Sequence, residues 1–211
     1  MNLTTEYYTV QRATWPQSGR HIMAHFDEAS IVVYQAYKPS TRDFSTVNQC
    51  LGGPDFSFNR MSWIKPNFLW MMYRCGWATK LDQETVLGLR IGRAFFESVL
   101  EAAVPSSFDA DMFAEHAAWK MAVERSDVRL QWDPDHSPSG AKEQRRAIQL
   151  GLRGDMLKAF AKQELLEVID MTPFVRQQAA LADGQALQIP LERPYVPSKA
   201  ATCSRLGLAI S

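Results

Sequence analysis

The pattern of apolar and polar positions predicts most of the strands and helices of this chain. Residues 31–37 are rich in β-branched and aromatic side chains, and residues 85–91 follow a period of two, so both runs predict strands. Pro66 suits the first turn of a helix that continues to about Arg74, and Gly76 suits its end. The rest of the pattern predicts helices over residues 93–103, 109–123 and 156–164, a last helix from Thr172, and strands over residues 56–64, 128–132 and 165–171.

Residues 141–153 carry a basic pattern with helical spacing. Ala141, Ile148 and Leu152 fall on one side of a helical projection, as a core-facing stripe should. The opposite side predicts a basic face, because its guanidinium and amide groups can bind phosphate or carboxylate. The members of this face are Lys142, Arg145 or Arg146, Gln149 and Arg153.

Strands and helices interleave along the chain without an internal repeat. This order predicts a single α+β domain, with a mixed, mainly antiparallel sheet flanked by helices. Residues 1–20 are expected to form an irregular lead-in and residues 21–182 the domain. Residues 183–211 are rich in proline and are expected to form an extended tail.

Composition and charge remove several classes of function. The chain has 211 residues, enough for a substantial core, and a formal net charge of zero, which argues against binding nucleic acid or a membrane surface by bulk charge. No segment resembles a signal peptide or a membrane span, and no Walker loop, dinucleotide fingerprint, His-Glu-x-x-His or nucleophile elbow occurs. The three cysteines are widely separated and imply no disulfide framework. A cytoplasmic protein without a membrane partner is the expectation.

Two carboxylates and an imidazole cluster in the sequence Gln131-Trp-Asp-Pro-Asp-His136. Pro134 sets a turn between Asp133 and Asp135, directly after the predicted strand over residues 128–132. Such a corner can act on a ligand that nearby arginines hold, which makes Gln131, Asp133 and His136 candidate catalytic residues. The structural alternative is an ordinary turn in which Asp133 or Asp135 pairs with one of those arginines.

A second candidate site lies in the aromatic segment 63–77. Trp63 and Trp70 can form a stacking wall for a base, while Lys65 and Arg74 bind its phosphates. The alternative is that most of these aromatic side chains belong to the core. If the site exists, Trp63 and Asp133 should line one cleft, and the arginines of the basic helix should converge on an anion.

Four motifs resemble a family of bacterial and fungal proteins that is described as a domain of unknown function. The resemblance covers roughly residues 8–197. It implies membership of a family but no mechanism. The motifs are Tyr34-Gln-Ala-Tyr37, the run from Ser62 through Trp-Ile-Lys-Pro-Asn-Phe-Leu-Trp to Arg74, Gln131-Trp-Asp-Pro-Asp-His136, and Arg145-Arg-Ala-Ile-Gln-Leu-Gly-Leu-Arg153.

The chain also resembles, more distantly, the three-part signature of ADP-ribosyltransferases. The resemblance implies NAD as the cofactor, with a polar residue of the first strand on the nicotinamide ribose and a strand-to-helix junction against the nicotinamide. A late acid would orient the ribose, and a glutamine beside it would help to select the acceptor. The corresponding positions are Gln35 and Tyr37, then Ser62 and Trp63, then Asp133 and Gln131.

Three functions remain open from the sequence. The first is an NAD-using transferase that acts through Asp133. The second is a metal-assisted phosphodiester or nucleotide hydrolase, in which Asp133, Asp135 and His136 hold a cation or act as acid and base. The third is a non-catalytic module for a nucleotide, a phosphorylated ligand, or an RNA or DNA end. That module would bind through Arg145, Arg146, Arg153 and the tryptophan wall.

Overall fold

Strand pairing organises the chain, which a computed structural model describes over residues 3–209. The strands are β1 (Thr5–Tyr7), β2 (Gly19–Arg20), β3 (Ile22–Phe26), β4 (Ser30–Tyr37), β5 (Ser62–Ile64), β6 (Thr85–Gly92), β7 (Val104–Pro105), β8 (Val128–His136), β9 (Lys142–Leu152), β10 (Leu165–Asp170), β11 (Gln188–Pro190) and β12 (Arg193–Tyr195). The helices are α1 (Tyr8–Thr14), α2 (Pro39–Asn48), α3 (Phe68–Cys75), α4 (Arg93–Ala102), α5 (His116–Arg125), α6 (Gly154–Lys162), α7 (Thr172–Ala179) and α8 (Ala200–Leu206).

Two five-stranded sheets carry most of the strands. The first sheet is antiparallel and has the order β10-β6-β4-β3-β12. The second has the order β2-β9-β8-β7, with β5 also paired to β9, and the pairs β2–β9 and β7–β8 are parallel. Strands β1 and β11 form a separate pair. The expected α+β domain with mixed, mainly antiparallel pairing is therefore confirmed, although its strands form more than one sheet.

The two large sheets share one apolar core. Ile31 and Val33 of β4 belong to the same buried cluster as Leu130 of β8 and Leu150 of β9. Helices α4 and α6 contribute Phe96 and Phe160 to this apolar cluster. The other face of β4 packs against α3 and α7. Alternation along each strand thus gives every large sheet one face for this shared core.

A backbone bridge joins the two sheets. Tyr34 of β4 donates its N–H to the carbonyl of Lys65 at 2.7 Å, and the Lys65 N–H donates to the Tyr34 carbonyl at 3.1 Å. Lys65 directly follows β5, which belongs to the other sheet. The chain is therefore fixed at the point where it leaves β5 and turns towards α3.

The start of α3 is fixed by two side chains. Asn67 is the N-cap, and its side-chain oxygen accepts the Trp70 N–H at 2.6 Å. Glu192 accepts the Phe68 N–H at 2.7 Å from the other end of the chain. These contacts explain why the helix begins at Phe68, two residues after the position that Pro66 suggested.

The predicted basic helix is wrong, because residues 142–152 form strand β9. Strand β9 pairs with β8 along nearly its whole length and with β5 at its end. Its apolar side follows a period of two, with Ile148, Leu150 and Leu152 in the core. The spacing of the basic residues fits a helix as well. The glycine at position 151 and the hydrogen bonds to the neighbouring strands β8 and β5 favour the strand instead.

The terminal segments are also more regular than expected. Residues 5–14 form β1 and α1 instead of an irregular lead-in, and residues 188–206 contain two strands and a helix instead of an extended tail. Pairing of β1 with β11 and of β12 with β3 holds both ends against the domain. The sequence did not predict these strands, because the strands that pair with each other lie far apart along the chain.

A buried ion pair fastens the end of β8 to β9. Arg145 donates from Nε and Nη2 to Asp135 Oδ2 at 2.8 and 2.6 Å, and from Nη1 to the Pro16 carbonyl at 2.6 Å. Its guanidinium also lies 4.9 Å from the centre of the Trp15 ring. Burial raises the pKa of the Asp135 carboxyl, and the Arg145 charge opposes that rise. The pair therefore joins the N-terminal segment to the second sheet.

Removal of one partner should be costly. We expect Asp135→Asn to lower the free energy of unfolding by about 3–5 kcal/mol, because it leaves the Arg145 charge buried without its counter-ion. The matched control is Asp127→Asn, which breaks a half-exposed pair with Arg153 at 3.5 Å and should cost about 0–1 kcal/mol. Urea denaturation of both variants measures the difference. Equal losses in the two variants would contradict this account.

Candidate functional site

A polar strip covers the face of the second sheet that points away from the shared core. Gln131 and Asp133 alternate along β8, and Gln149 lies opposite Gln131 on β9. The Gln149 amide donates to Gln131 Oε1 at 2.7 Å and to Asp133 Oδ2 at 2.8 Å. One amide therefore holds two of the three predicted catalytic side chains, those of Gln131 and Asp133, in fixed positions on this face.

Trp63 lies on the same face as this strip. It stands opposite Gly151, which in turn stands opposite Arg129 of β8, so the register puts Trp63 on the side of Gln131 and Asp133. A Cβ at position 151 would lie 2.5 Å from Met61 Sδ and 3.0 Å from Trp63 Cε2. Glycine at position 151 therefore lets Met61 and Trp63 lie close to the strand.

Lys65 is the most unusual residue of this face. Its side chain is 3 % exposed, and Nζ makes one long hydrogen bond, of 3.4 Å, to the Trp63 carbonyl. Within residues 3–209 no carboxylate forms an ion pair with it. The pKa of Lys65 is lowered from 10.5 to about 8, mainly by burial and next by the Arg74 charge, while the Asp133 charge opposes both effects.

Lys65 lines a cleft of 530 Å³ between the polar strip and α3, which we name the Lys65 cleft. Helix α3 contributes Met71 and Arg74, and the loop before β5 contributes Arg60 and Met61. The cleft contains three cationic groups and no carboxylate among its lining residues. The lining consists of Gln35, Ala36, Arg60, Met61, Trp63, Lys65, Met71, Arg74, Gln83, Gln131 and Gln149.

A second cleft, of 420 Å³, lies on the other side of Gln131. Asp133 and Arg146 line it together with Arg20 and Asp109, which form an ion pair at 3.6 Å. Gln131 lines both clefts, whereas Trp63 lines only the Lys65 cleft and Asp133 only the second, so the expectation that Trp63 and Asp133 line one cleft is wrong. Arg146 stands opposite Pro134 in the register, so its side chain lies on the other face of the sheet from those of Gln131 and Asp133.

Comparison with known protein families identifies the relatives of this chain. Residues 21–195 match the sequence model of the family described as Domain of unknown function (DUF4291). The chain belongs to this family. The resemblance to a family of that description is thereby confirmed, and the match spans every residue of both clefts except Arg20.

Comparison with curated proteins finds no match. Among residues 3–209, no helix has both the length and the apolar character that a membrane crossing requires.

Gln35 and Tyr37, the two positions that correspond to the first strand of the ADP-ribosyltransferase signature, lie at or beside the Lys65 cleft in this DUF4291 domain. Gln35 lines the cleft, and its amide contacts Ser62 Oγ at 2.8 Å. Tyr37 lines an adjoining cleft of 380 Å³, which shares Gln35 and Arg60 with the Lys65 cleft. Burial raises the pKa of the Tyr37 hydroxyl well above its usual range.

Trp70 and His136 lie outside the two clefts. Trp70 is 6 % exposed, and its ring stacks on the His136 imidazole with centroids 5.3 Å apart. Tyr73 stacks on the same imidazole at 3.5 Å. Burial lowers the pKa of His136 and so favours its neutral form. These rings pack α3 against the end of β8, which is the core role that the sequence left open for the aromatic segment.

The three arginines of the predicted basic face do not converge. Arg145 is buried against Asp135, Arg146 lines the second cleft, and Arg153 contacts Asp127 at 3.5 Å and nearby backbone carbonyls. Alternation along a strand sends Arg145 and Arg146 to opposite faces, whereas a helix would have kept several of them together. The expected clamp of these arginines is therefore wrong.

The cations of the Lys65 cleft come instead from other elements. Lys65 and Arg74 were expected from the sequence, and Arg60 was not. Arg60 precedes β5 in a loop without a motif, so only its proximity to Trp63 along the chain could have suggested it.

No group of three or more metal-binding side chains occurs within residues 3–209. Asp133 accepts from Gln149, and Asp135 is paired with Arg145. The acidic corner thus presents Asp133 alone to a cleft, while Asp135 has a structural partner.

Replacement of Lys65 by an apolar side chain should stabilise the protein without ligand. A pKa reduction from 10.5 to about 8 corresponds to roughly 3 kcal/mol of unfavourable burial at neutral pH. We expect Lys65→Met to raise the free energy of unfolding at pH 7 by up to about 3 kcal/mol. Lys120→Met, at an exposed position of α5, should change it by less than about 0.5 kcal/mol.

The difference in stability between the wild type and Lys65→Met should depend on pH. The unfolded chain holds the Lys65 proton up to about pH 10.4, whereas the folded protein releases it near pH 8. The unfolded state therefore binds more protons between these values, and Lys65 makes the stability of the wild type rise with pH in this window. The advantage of Lys65→Met should shrink over the same window. A destabilised Lys65→Met variant at pH 7 would show that the ammonium has a structural role.

Proposed function

We propose that this protein binds a phosphorylated small molecule of the nucleotide type in the Lys65 cleft. The main support for this proposal is the buried Lys65 side chain, whose ammonium makes one hydrogen bond, of 3.4 Å, and which lines an open cleft. A buried charge without a counter-ion destabilises the folded state unless a ligand supplies the missing charge. A phosphate is the matching group, because it offers a negative charge and several hydrogen-bond acceptors to one ammonium.

The rest of the cleft suits the same class of ligand. Arg60 and Arg74 add two guanidiniums, which favour bidentate contacts with phosphate. Trp63 provides an aromatic surface on which a base can stack. The amides of Gln35 and Gln149 supply neutral donors and acceptors for a sugar or a base.

We further propose that NAD is the ligand and that the protein is an ADP-ribosyltransferase-like enzyme. The support is that Gln131 lines the Lys65 cleft and that Asp133 lies beside it on the same face of the sheet, where the Gln149 amide holds both side chains. NAD supplies a glycosidic bond whose cleavage develops positive charge on the ribose. Asp133, held by the Gln149 amide at 2.8 Å, would stabilise that charge, and Gln131 would orient the acceptor.

The two alternatives have less support. A metal-assisted hydrolase needs Asp133, Asp135 and His136 together, but Asp135 is paired with Arg145 and His136 stacks on aromatic rings. A non-catalytic nucleotide or RNA-end module remains an outcome of the test on Asp133 below. A cytoplasmic location stays part of the proposal, and the three free cysteines are consistent with it.

Ligand binding can be measured by thermal shift with NAD, ADP-ribose, ADP, ATP, GTP and short RNAs. A ligand at 100 times its Kd should stabilise the wild type by about 2.7 kcal/mol. In Lys65→Met the Kd should rise at least about tenfold, because a charge-assisted hydrogen bond contributes about 1.5–3 kcal/mol. Arg74→Gln should weaken binding in the same direction.

The matched control is Arg125→Gln, which removes a guanidinium from the exposed end of α5. It should leave the Kd unchanged. The proposal fails if no phosphorylated ligand shifts the Tm of the wild type, or if Arg125→Gln weakens binding as much as Arg74→Gln does.

The Asp133→Asn variant tests catalysis separately from binding. Asparagine keeps an oxygen that can accept the Gln149 hydrogen bond, so the fold and the ligand-induced rise in Tm should persist. Release of nicotinamide from NAD should fall by at least about 100-fold, in line with loss of electrostatic stabilisation. Asp183→Asn, an exposed change far along the chain, is the control for the loss of one carboxylate.

Equal turnover in Asp133→Asn and in the wild type would contradict the catalytic role of Asp133. Binding without turnover in either protein would favour the non-catalytic module. A strict requirement for a divalent cation would favour the hydrolase.

A further inference from the structure

The chemistry of Lys65 differs from that of the two arginines beside it. A guanidinium would satisfy an anion equally well and would stay charged, whereas the amine of a lysine is also a nucleophile when it is neutral. Lys65 Nζ has one long hydrogen bond and no ion-pair partner within residues 3–209, so its lone pair is not committed elsewhere. Lys65 lines a cleft of 530 Å³ that a small molecule can enter.

We propose that Lys65 Nζ forms an imine with the aldehyde of a phosphate-bearing ligand in the Lys65 cleft. This inference rests on the proposed function for the site of phosphate binding, and it adds the substrate class and a covalent step. Arg74 and Arg60 would hold the phosphate at the rim while the carbonyl carbon meets the amine at the buried end.

The step balances without a further reactant. The nitrogen lone pair forms the C–N bond as the carbonyl π pair moves to oxygen, and a proton passes from nitrogen to that oxygen. The resulting carbinolamine takes up one proton and loses water, which leaves the protonated imine. One amine, one aldehyde and one proton give one iminium ion and one water.

Two features of the surroundings favour this step. The reduction in the pKa of Lys65 from 10.5 to about 8 raises the neutral fraction of the amine at pH 7 by roughly 300-fold. The charge of Asp133 acts in the opposite direction on the same ammonium, so it also stabilises the positive charge of the iminium ion. The cleft therefore supplies the nucleophile, and Asp133, which lies beyond the lining residues on the same face of the sheet, supplies a counter-charge for the product.

Borohydride trapping tests the inference on the full chain. The wild type is incubated with glyceraldehyde 3-phosphate, reduced, and analysed by intact mass and peptide mapping. We expect one adduct, on Lys65, with a trapping rate that rises with pH around pH 8. Glyceraldehyde, which lacks the phosphate, should be trapped at least tenfold more slowly, and ADP should slow trapping of the phosphorylated aldehyde.

The conservative variant Lys65→Arg keeps the positive charge but cannot form the imine. It should lose the adduct, whereas the control variant Lys120→Met, at an exposed position, should keep both the adduct and the thermal shift given by ADP. Adducts spread at equal rates over exposed lysines such as Lys80 and Lys120, or no adduct at all, would overturn the inference.

The two proposals can fail separately. If ADP stabilises the wild type but the aldehyde is not trapped, the imine is excluded and phosphate binding stands. If the aldehyde is trapped on Lys65 but no nucleotide shifts the Tm, the imine stands and the nucleotide proposal fails.

Discussion

The two hydrogen bonds between Tyr34 and Lys65 are the constraint on which the arrangement of the molecule depends. They connect β4 of one sheet to the end of β5 of the other, at 2.7 and 3.1 Å, and so fix the angle at which the chain leaves the second sheet. The cap of α3 follows two residues later at Asn67, so the position of this helix depends on the same junction. The same two bonds fix the backbone position from which the Lys65 side chain extends.

The geometry around Lys65 shows how a fold can hold an unfavourable charge. Trp63, Ile64 and Lys65 alternate between the two sides of the second sheet, and Ile64 is fully buried in the shared core. The apolar burial of Ile64 and its neighbours offsets the burial of one ammonium. Stability and the capacity to bind an anion therefore oppose each other at adjacent positions of one strand.

The sequence predicted the elements whose patterns are local. Residues 31–37 and 85–91 were recognised as strands, and each lies inside a longer strand, β4 and β6. Segment 142–153 was misread because its polar residues satisfy helical spacing, while the pairing of β9 with β8 is a tertiary contact that no window of sequence contains. The same holds for the candidate site: residues from one local motif could be predicted, whereas contacts between distant segments could not.

Trp63, Lys65 and Arg74 come from one continuous motif, and the structure brings them to one cleft. Gln131 and Gln149 also line it, because the antiparallel register places them opposite each other. The sequence offered pairing of Arg145 with Asp135 as the structural alternative, but it could not reveal the third contact of Arg145, with the carbonyl of Pro16 more than a hundred residues away. The contribution of the N-terminal segment was hidden for the same reason.

That segment makes the folding unit longer than the part of the chain that the family match covers. Residues 21–195 contain the whole Lys65 cleft, yet they exclude Gln11, which accepts the Glu192 N–H at 2.8 Å. They also exclude Trp15, whose indole N–H donates to the Glu192 carbonyl at 3.0 Å, and the Pro16 carbonyl that Arg145 uses. A fragment trimmed to the family boundaries would keep every side chain of the cleft but leave these buried polar groups without their partners. The residues that form the cleft therefore occupy a shorter stretch of the chain than the residues that stabilise the fold around it.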